Sequence, residues 1–115
     1  MKVLVVDDEP GMRETLVDIL KQSGHGADSA ADGDEALARL NEQSYDVVVM
    51  DVRMPGRDGV AVLREMGPPP PPVILMTAYA SDERLREGEK LAFAVVHKPF
   101  SAPKMLDLVE RARAS

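Results

Sequence analysis

Four stretches of this 115-residue chain set a chemically useful side chain just beyond an apolar run. Residues 3–6 lead into Asp7 and Asp8, residues 47–50 into Asp51, residues 73–76 into Thr77, and residues 94–96 through His97 to Lys98. Desolvating a charge is costly, so a carboxylate after Val47-Val48-Val49-Met50 either marks where the chain surfaces or is held there for a purpose. Each residue alone has a plain reading: Asp7 and Asp8 as helix-capping acids, Thr77 as a routine strand end, Lys98 as a solvated charge. Their coincidence at four run ends favours a shared site. Three converging carboxylates would repel one another and raise each other's pKa values. A hard cation removes that repulsion, and Mg²⁺ suits a site of one or two carboxylates, water and phosphate oxygens. Such a site points to phosphoryl chemistry in which Asp51 is the nucleophile and becomes an aspartyl phosphate. The protein must then align the donor and neutralise the equatorial oxygens. Mg²⁺, the Lys98 ammonium and the Thr77 hydroxyl would take one oxygen each.

The elements must bring these run ends together. The apolar runs are Val- and Ile-rich, continuous rather than alternating, and about the length of strands. That pattern suits parallel strands covered on both faces, with a weaker fifth strand near residues 26–30. Between them lie helical signals. Met12, Leu16, Ile19 and Leu20 share a helical face, as do Ala36, Leu37 and Leu40 after an Asp32/Glu35 capping box. Val60, Leu63 and Met66 mark a third helix, and Ser81-Asp82-Glu83 opens a fourth. Met105, Leu108, Val109 and Ala112 mark a fifth, capped by Ser101. Five β-α units with right-handed crossovers place every strand's carboxyl end on one edge, where ligands of open α/β sheets gather. Prolines 68–72 read as a stiff extended connector before the fourth strand, or less simply as a polyproline ligand. Tyr45 and Phe93 read as core, Tyr79 as a gate beside Thr77 or a half-buried surface residue. Neither His25 nor His97 has partners at ligand spacing.

Composition narrows the function. One domain over residues 1–115 is expected at this length. A net charge of −6 argues against direct nucleic-acid binding. Without cysteine there is no thiol catalysis and no zinc-thiolate site. No apolar run approaches the roughly 20 residues of a membrane span, and a cytoplasmic location is expected. P-loop and dinucleotide motifs are absent.

The motifs "VLVVDDEP" (3–10), "DVRMPGRDG" (51–59), "MTAYAS" (76–81) and "HKPF" (97–100), in this order, resemble the receiver domain of bacterial two-component response regulators. The resemblance implies a flavodoxin-like doubly wound parallel sheet of order 2-1-3-4-5. It implies phosphorylation of Asp51 by a sensor histidine kinase or phosphotransfer protein. Asp8 would be the main Mg²⁺ ligand, with Asp7, Asp51 and the Arg53 backbone carbonyl completing the protein's share. Lys98 and Thr77 would contact the phosphoryl group, and the amides of Val52 and Ala78 would face it. An output domain or effector protein, transcription regulation and a homodimer are also implied. The wording around Asp51 and Thr77 is closest to regulators that precede an ATPase activator of alternative-sigma-factor transcription. Two positions depart from the pattern. Val95 stands where an aromatic or His often lies three residues before the lysine, and Leu91 replaces a frequent Gly. A haloacid-dehalogenase-like phosphatase is the enzymatic alternative, but Arg53 occupies the place of its general acid. A non-phosphorylated pseudo-receiver is disfavoured by the complete set Asp7, Asp8, Asp51, Thr77 and Lys98.

Overall fold

A computed structural model describes residues 1–79 and 83–115. Five strands alternate with five helices: β1 (Lys2–Val6), α1 (Pro10–Gln22), β2 (Gly26–Ala30), α2 (Gly33–Glu42), β3 (Val47–Asp51), α3 (Gly59–Glu65), β4 (Val73–Thr77), α4 (Arg84–Leu91), β5 (Ala94–His97) and α5 (Ala102–Ala114). The strands form one parallel sheet in the order β2-β1-β3-β4-β5.

The continuous apolar runs are explained by helices on both faces. Val3, Val5, Val47, Val49, Ile74 and Met76 pack toward Leu16 and Leu20 of α1 and Met105, Val109 and Ala112 of α5. The alternate residues Leu4, Val6, Val48, Met50 and Leu75 pack toward Ala36 of α2, Val60 and Val62 of α3 and Leu85 of α4. Every residue of β3 and β4 is buried. Period-two alternation thus persists in space though it is invisible in hydropathy.

The helix starts follow local chemistry. Asp32 Oδ1 accepts from the Glu35 amide at 2.8 Å, as the capping box requires. Glu35 Oε1 reaches back to the Ala31 amide at 3.3 Å rather than to that of Asp32. Ser101 Oγ accepts from the Lys104 amide at 3.2 Å and caps α5.

Three expectations change. Phe93, read as core, is 40% exposed because it precedes the edge strand β5, just beyond the end of α4. Met66 terminates α3 rather than belonging to it. The proline segment is not uniformly extended: the chain bends at Pro68 and Pro69, joined by a cis peptide. The proposed opening of the fourth helix at Ser81-Asp82 lies outside the described residues, and α4 is described from Arg84.

Candidate functional site

The carboxyl ends of β1, β3, β4 and β5 deliver the sequence-selected residues to one edge. Asp7 follows β1, Asp51 and Thr77 are the last residues of β3 and β4, and Lys98 follows β5. Lys98 Nζ lies 2.6 Å from Asp51 Oδ2 and 3.2 Å from Asp7 Oδ2. Asp7, Asp8 and Asp51 each offer a carboxylate oxygen within 4.8 Å of the others.

The two adjacent acids differ sharply. Asp7 is fully buried, with Oδ1 accepting from the Glu9 amide at 2.9 Å, and its own carbonyl accepts from Arg13 Nη1 at 2.8 Å. Asp8 is exposed. Asp7 is therefore a fixed wall and Asp8 the carboxylate open to solvent. Lys98 pairs with two of the three carboxylates, Asp7 and Asp51, and a divalent cation would relieve the repulsion among all three. The oxygen-only donor set fits a hard cation such as Mg²⁺.

Electrostatics agree with crowding. Burial pushes the Asp51 carboxyl above its ordinary value; the Lys98 hydrogen bond and charge and the Arg53 amide oppose this, while Asp7 adds to it. For Lys98, burial pulls downward, but Asp51 and Asp7 together hold the ammonium above its usual value. Both groups of the pair are thus raised. The direction for Asp51 is the expected one when one cation serves several acids, because burial and Asp7 outweigh its share of Lys98.

One backbone role changes. The Val52 amide, expected to face the incoming group, donates instead to Met76 O at 2.9 Å. The Arg53 amide reaches the acid, donating to Asp51 Oδ1 at 3.0 Å. Residue parity explains this: the ladder continues one residue past Asp51, and the chain turns only afterwards.

Thr77 is buried and already engaged. Its hydroxyl donates to Tyr79 O at 3.2 Å, and its oxygen accepts from the Tyr79 amide at 3.0 Å. The Tyr79 ring is 53% exposed and lies under the Arg53 guanidinium, 4.2 Å from its centroid. Cation–π contact thus bridges the loops after β3 and β4. A shallow hollow of about 290 Å³ at this mouth is lined by Asp8, Arg53, Met54, Pro55 and Arg84.

Sequence reasoning missed Gly59. A Cβ there would lie 2.4 Å from the Asp51 carbonyl oxygen and 3.1 Å from Val52 Cα. Only glycine lets α3 begin this close to the strand tip, and Asp58 caps that start by accepting from the Ala61 amide at 2.9 Å. The available signal was the Asp-Gly pair after the Met-Pro-Gly turn.

A parallel sheet of this order, with three acids and a lysine at its carboxyl edge, defines a receiver-like domain. The chain belongs to the response regulator receiver domain family, whose model matches residues 3–110. It is 33% identical over 114 residues to sporulation initiation phosphotransferase F of Bacillus subtilis (strain 168), across 96% of this chain and 91% of that protein. It is 38% identical over 113 residues to the DNA-binding transcriptional regulator NtrC of Salmonella typhimurium, spanning 96% of this chain but only 24% of that protein. Among solved structures, the receiver domain of NtrX from Brucella abortus superposes with a TM-score of 0.89 at 32% identity, covering 98% of both chains.

Proposed function

We propose that this chain is a phosphorylation-controlled signalling switch, with residues 1–115 forming one receiver unit. The observation that carries the reading is Asp51 at the β3 tip, bonded to Lys98 and grouped with Asp7 and Asp8. A carboxylate oxygen of Asp51 attacks the phosphorus of a phosphohistidine on a sensor histidine kinase or phosphotransfer protein. The P–N bond breaks, an aspartyl phosphate forms, and the imidazole leaves. Bound at Asp8, Asp7, Asp51 and the Arg53 carbonyl, Mg²⁺ would offset the negative charge gathering on the phosphoryl oxygens.

The residues of this chain have distinct tasks. Buried Asp7 and the Arg53 amide hold Lys98 and Asp51 in place. Lys98 passes from Asp51 to a phosphoryl oxygen as a compact point charge. The Thr77 hydroxyl gives up Tyr79 O to donate to another oxygen. Thr77 is tied to Tyr79, so this exchange alters the loop after β4 and biases α4 and β5. That is a population shift driven by differential phosphate contacts. Val95 has no ring to rotate, so the Tyr79 loop takes a larger part in the response. The domain is regulatory: it assists its own modification rather than turning over a separate substrate. Its output face spans α4, β5 and α5 and meets an attached output domain, an effector protein or a second copy, with transcription as the regulated process. The reading places the chain in the cytoplasm. Among the described residues no helix is long and apolar enough to cross a membrane.

Intact-mass measurement after incubation with Mg²⁺ and acetyl phosphate tests this. One phosphoryl adduct is expected, absent without Mg²⁺ and absent in Asp51→Asn. An adduct that persists in that variant would refute Asp51 as the acceptor. Asp8→Asn should slow labelling and weaken Mg²⁺ binding. Lys98→Ala should stay folded yet fail to transmit phosphorylation to α4 and β5, read as amide shifts with beryllofluoride.

A further inference from the structure

A cavity of about 690 Å³ opens at the opposite edge of the sheet from Asp51. It lies where α2 and α3 end and where the chain enters β3 and β4. Its volume falls within the roughly 300–1,000 Å³ of small-molecule sites. Leu37 and Leu40 of α2, Met66 and Tyr45 form apolar walls, closed by prolines 68–71.

The polar part of the lining is lopsided. Four consecutive prolines have no amide hydrogen, so their wall offers carbonyl acceptors only. The final carbonyls of a helix lack intrahelical partners and carry the negative end of its dipole, and two helices end here. Glu65 adds a carboxylate, which meets Arg57 through Oε2. Two of the side-chain donors in the lining are spent, whereas Asn41 and Ser44 add others. The Tyr45 hydroxyl donates to Asp28 Oδ2 at 2.7 Å, and Gln43 Nε2 donates to the same oxygen at 3.0 Å. No Lys, Arg or His lines the cavity among the described residues. A carboxylate or phosphate would rely on Asn41 and Ser44 for side-chain donors, whereas a cationic donor would meet the proline carbonyls and the Glu65 carboxylate beside Arg57.

We propose that this cavity binds a small organic cation with an apolar body and one ammonium or amidinium group. The apolar body sits against Leu37, Leu40, Met66 and the Tyr45 ring. The cationic head faces Glu65 and the carbonyls of the proline wall. The site is separate from the acidic edge: β3 spans five residues, so the two lie about 13–17 Å apart at 3.3 Å per residue.

Amide chemical-shift titrations with four probes of graded chemistry test the proposal. Benzamidine has both features, benzamide is its near-isosteric neutral form, benzoate reverses the charge, and guanidinium lacks the apolar body. Benzamidine should give saturable shifts at Leu37, Leu40, Tyr45 and Met66, with benzamide at least fivefold weaker. Benzoate and guanidinium should not saturate over the same range. Equal binding of benzamide or benzoate overturns the cationic assignment. The same shifts with guanidinium reduce the effect to general attraction by an acidic protein, and absence of any saturable shift removes the site. Asn41→Arg, at an exposed helical position on the rim, supplies an internal cation and should abolish benzamidine binding. Glu65→Gln should weaken it several-fold. Unchanged benzamidine affinity in both variants contradicts the proposed pose.

Discussion

Asp28 and Asp51 stand on strands of the same sheet and are driven in opposite directions. Asp28 accepts from the Tyr45 hydroxyl and Gln43 Nε2, and Lys2 Nζ lies 3.4 Å away. Its pKa is lowered, first by Tyr45, against burial, and then by Lys2 and Arg39. Asp51 shares its one ammonium with Asp7, and burial raises it. One acid has several side-chain partners of its own; the other, beside the Arg53 amide, shares its ammonium with a second acid. Perturbed buried charges that share their partners gather at functional sites, so the contrast points to structural polarity at Asp28 and supports the functional reading proposed for Asp51.

The largest effect should come from the well-partnered side. Asp28→Ala leaves the buried Tyr45 hydroxyl without its acceptor, which should cost about 1–3 kcal/mol in urea denaturation. At the acidic edge the sign reverses. Asp51→Asn removes a buried charge while Lys98 keeps Asp7, and should stabilise the fold by roughly 0.5–2 kcal/mol. Loss of stability in Asp51→Asn would erase the distinction between the two acids.

Their pH dependences should also oppose. Asp28 is lowered in the fold, so its stabilisation is present above the ordinary unfolded value and is lost as pH falls through the lowered native one. Asp51 is raised, so its contribution is present below the unfolded value and lost as pH rises through the native one. The advantage of Asp51→Asn over the parent should therefore widen from acid to neutral pH. A constant advantage would assign the effect to packing rather than charge.

Tyr45 gives a smaller and sharper test. Burial, followed by the hydrogen bond and charge of Asp28, pushes its hydroxyl up to about 12. Its stabilisation is present below the unfolded tyrosine value and lost as pH rises through that raised one. Tyr45→Phe should cost about 0.5–1.5 kcal/mol at neutral pH, and the difference from the parent should shrink in strong alkali. Asp28 keeps Lys2 and Gln43 in that variant, so the loss should be less than in Asp28→Ala.

How far the sequence foretold this follows from what each feature depends on. Strands β1, β3 and β4 were legible because burial on both faces writes them as unbroken apolar runs. Strand β2 was faint: in Gly26-Ala27-Asp28-Ser29-Ala30 only Ala30 is buried, as befits an edge strand. The positions at the acidic edge were legible because each follows a run directly. The inward turn of Asp7 and the outward turn of Asp8 were not, since adjacent carboxylates look alike until the chain leaves the sheet. The exchange of Val52 for Arg53 depended on where the β3–β4 ladder stops, one residue past Asp51. Gly59 depended on a three-dimensional approach to the Asp51 carbonyl that no local pattern encodes.

The smallest expected effect concerns a third acid, Glu87, whose pair is open to solvent. Arg64 of α3 grips it with Nε at 2.5 Å and Nη2 at 2.9 Å, and this bond is the main reason its pKa is lowered. Geometry alone would rank it beside Asp28. Exposure argues otherwise, because water competes for both partners and salt screens them. A double-mutant cycle with Arg64→Ala and Glu87→Ala should give a coupling below every effect above, shrinking further in high salt. The pair joins α3 to α4, and α4 buries only Leu85 and Gly88. If the loop after β4 repositions α4 on phosphorylation, the same cycle with beryllofluoride and Mg²⁺ should return a different coupling. Identical values in the two states, with Asp51 shown to bind the mimic, would mean that the α3–α4 contact does not take part in the switch.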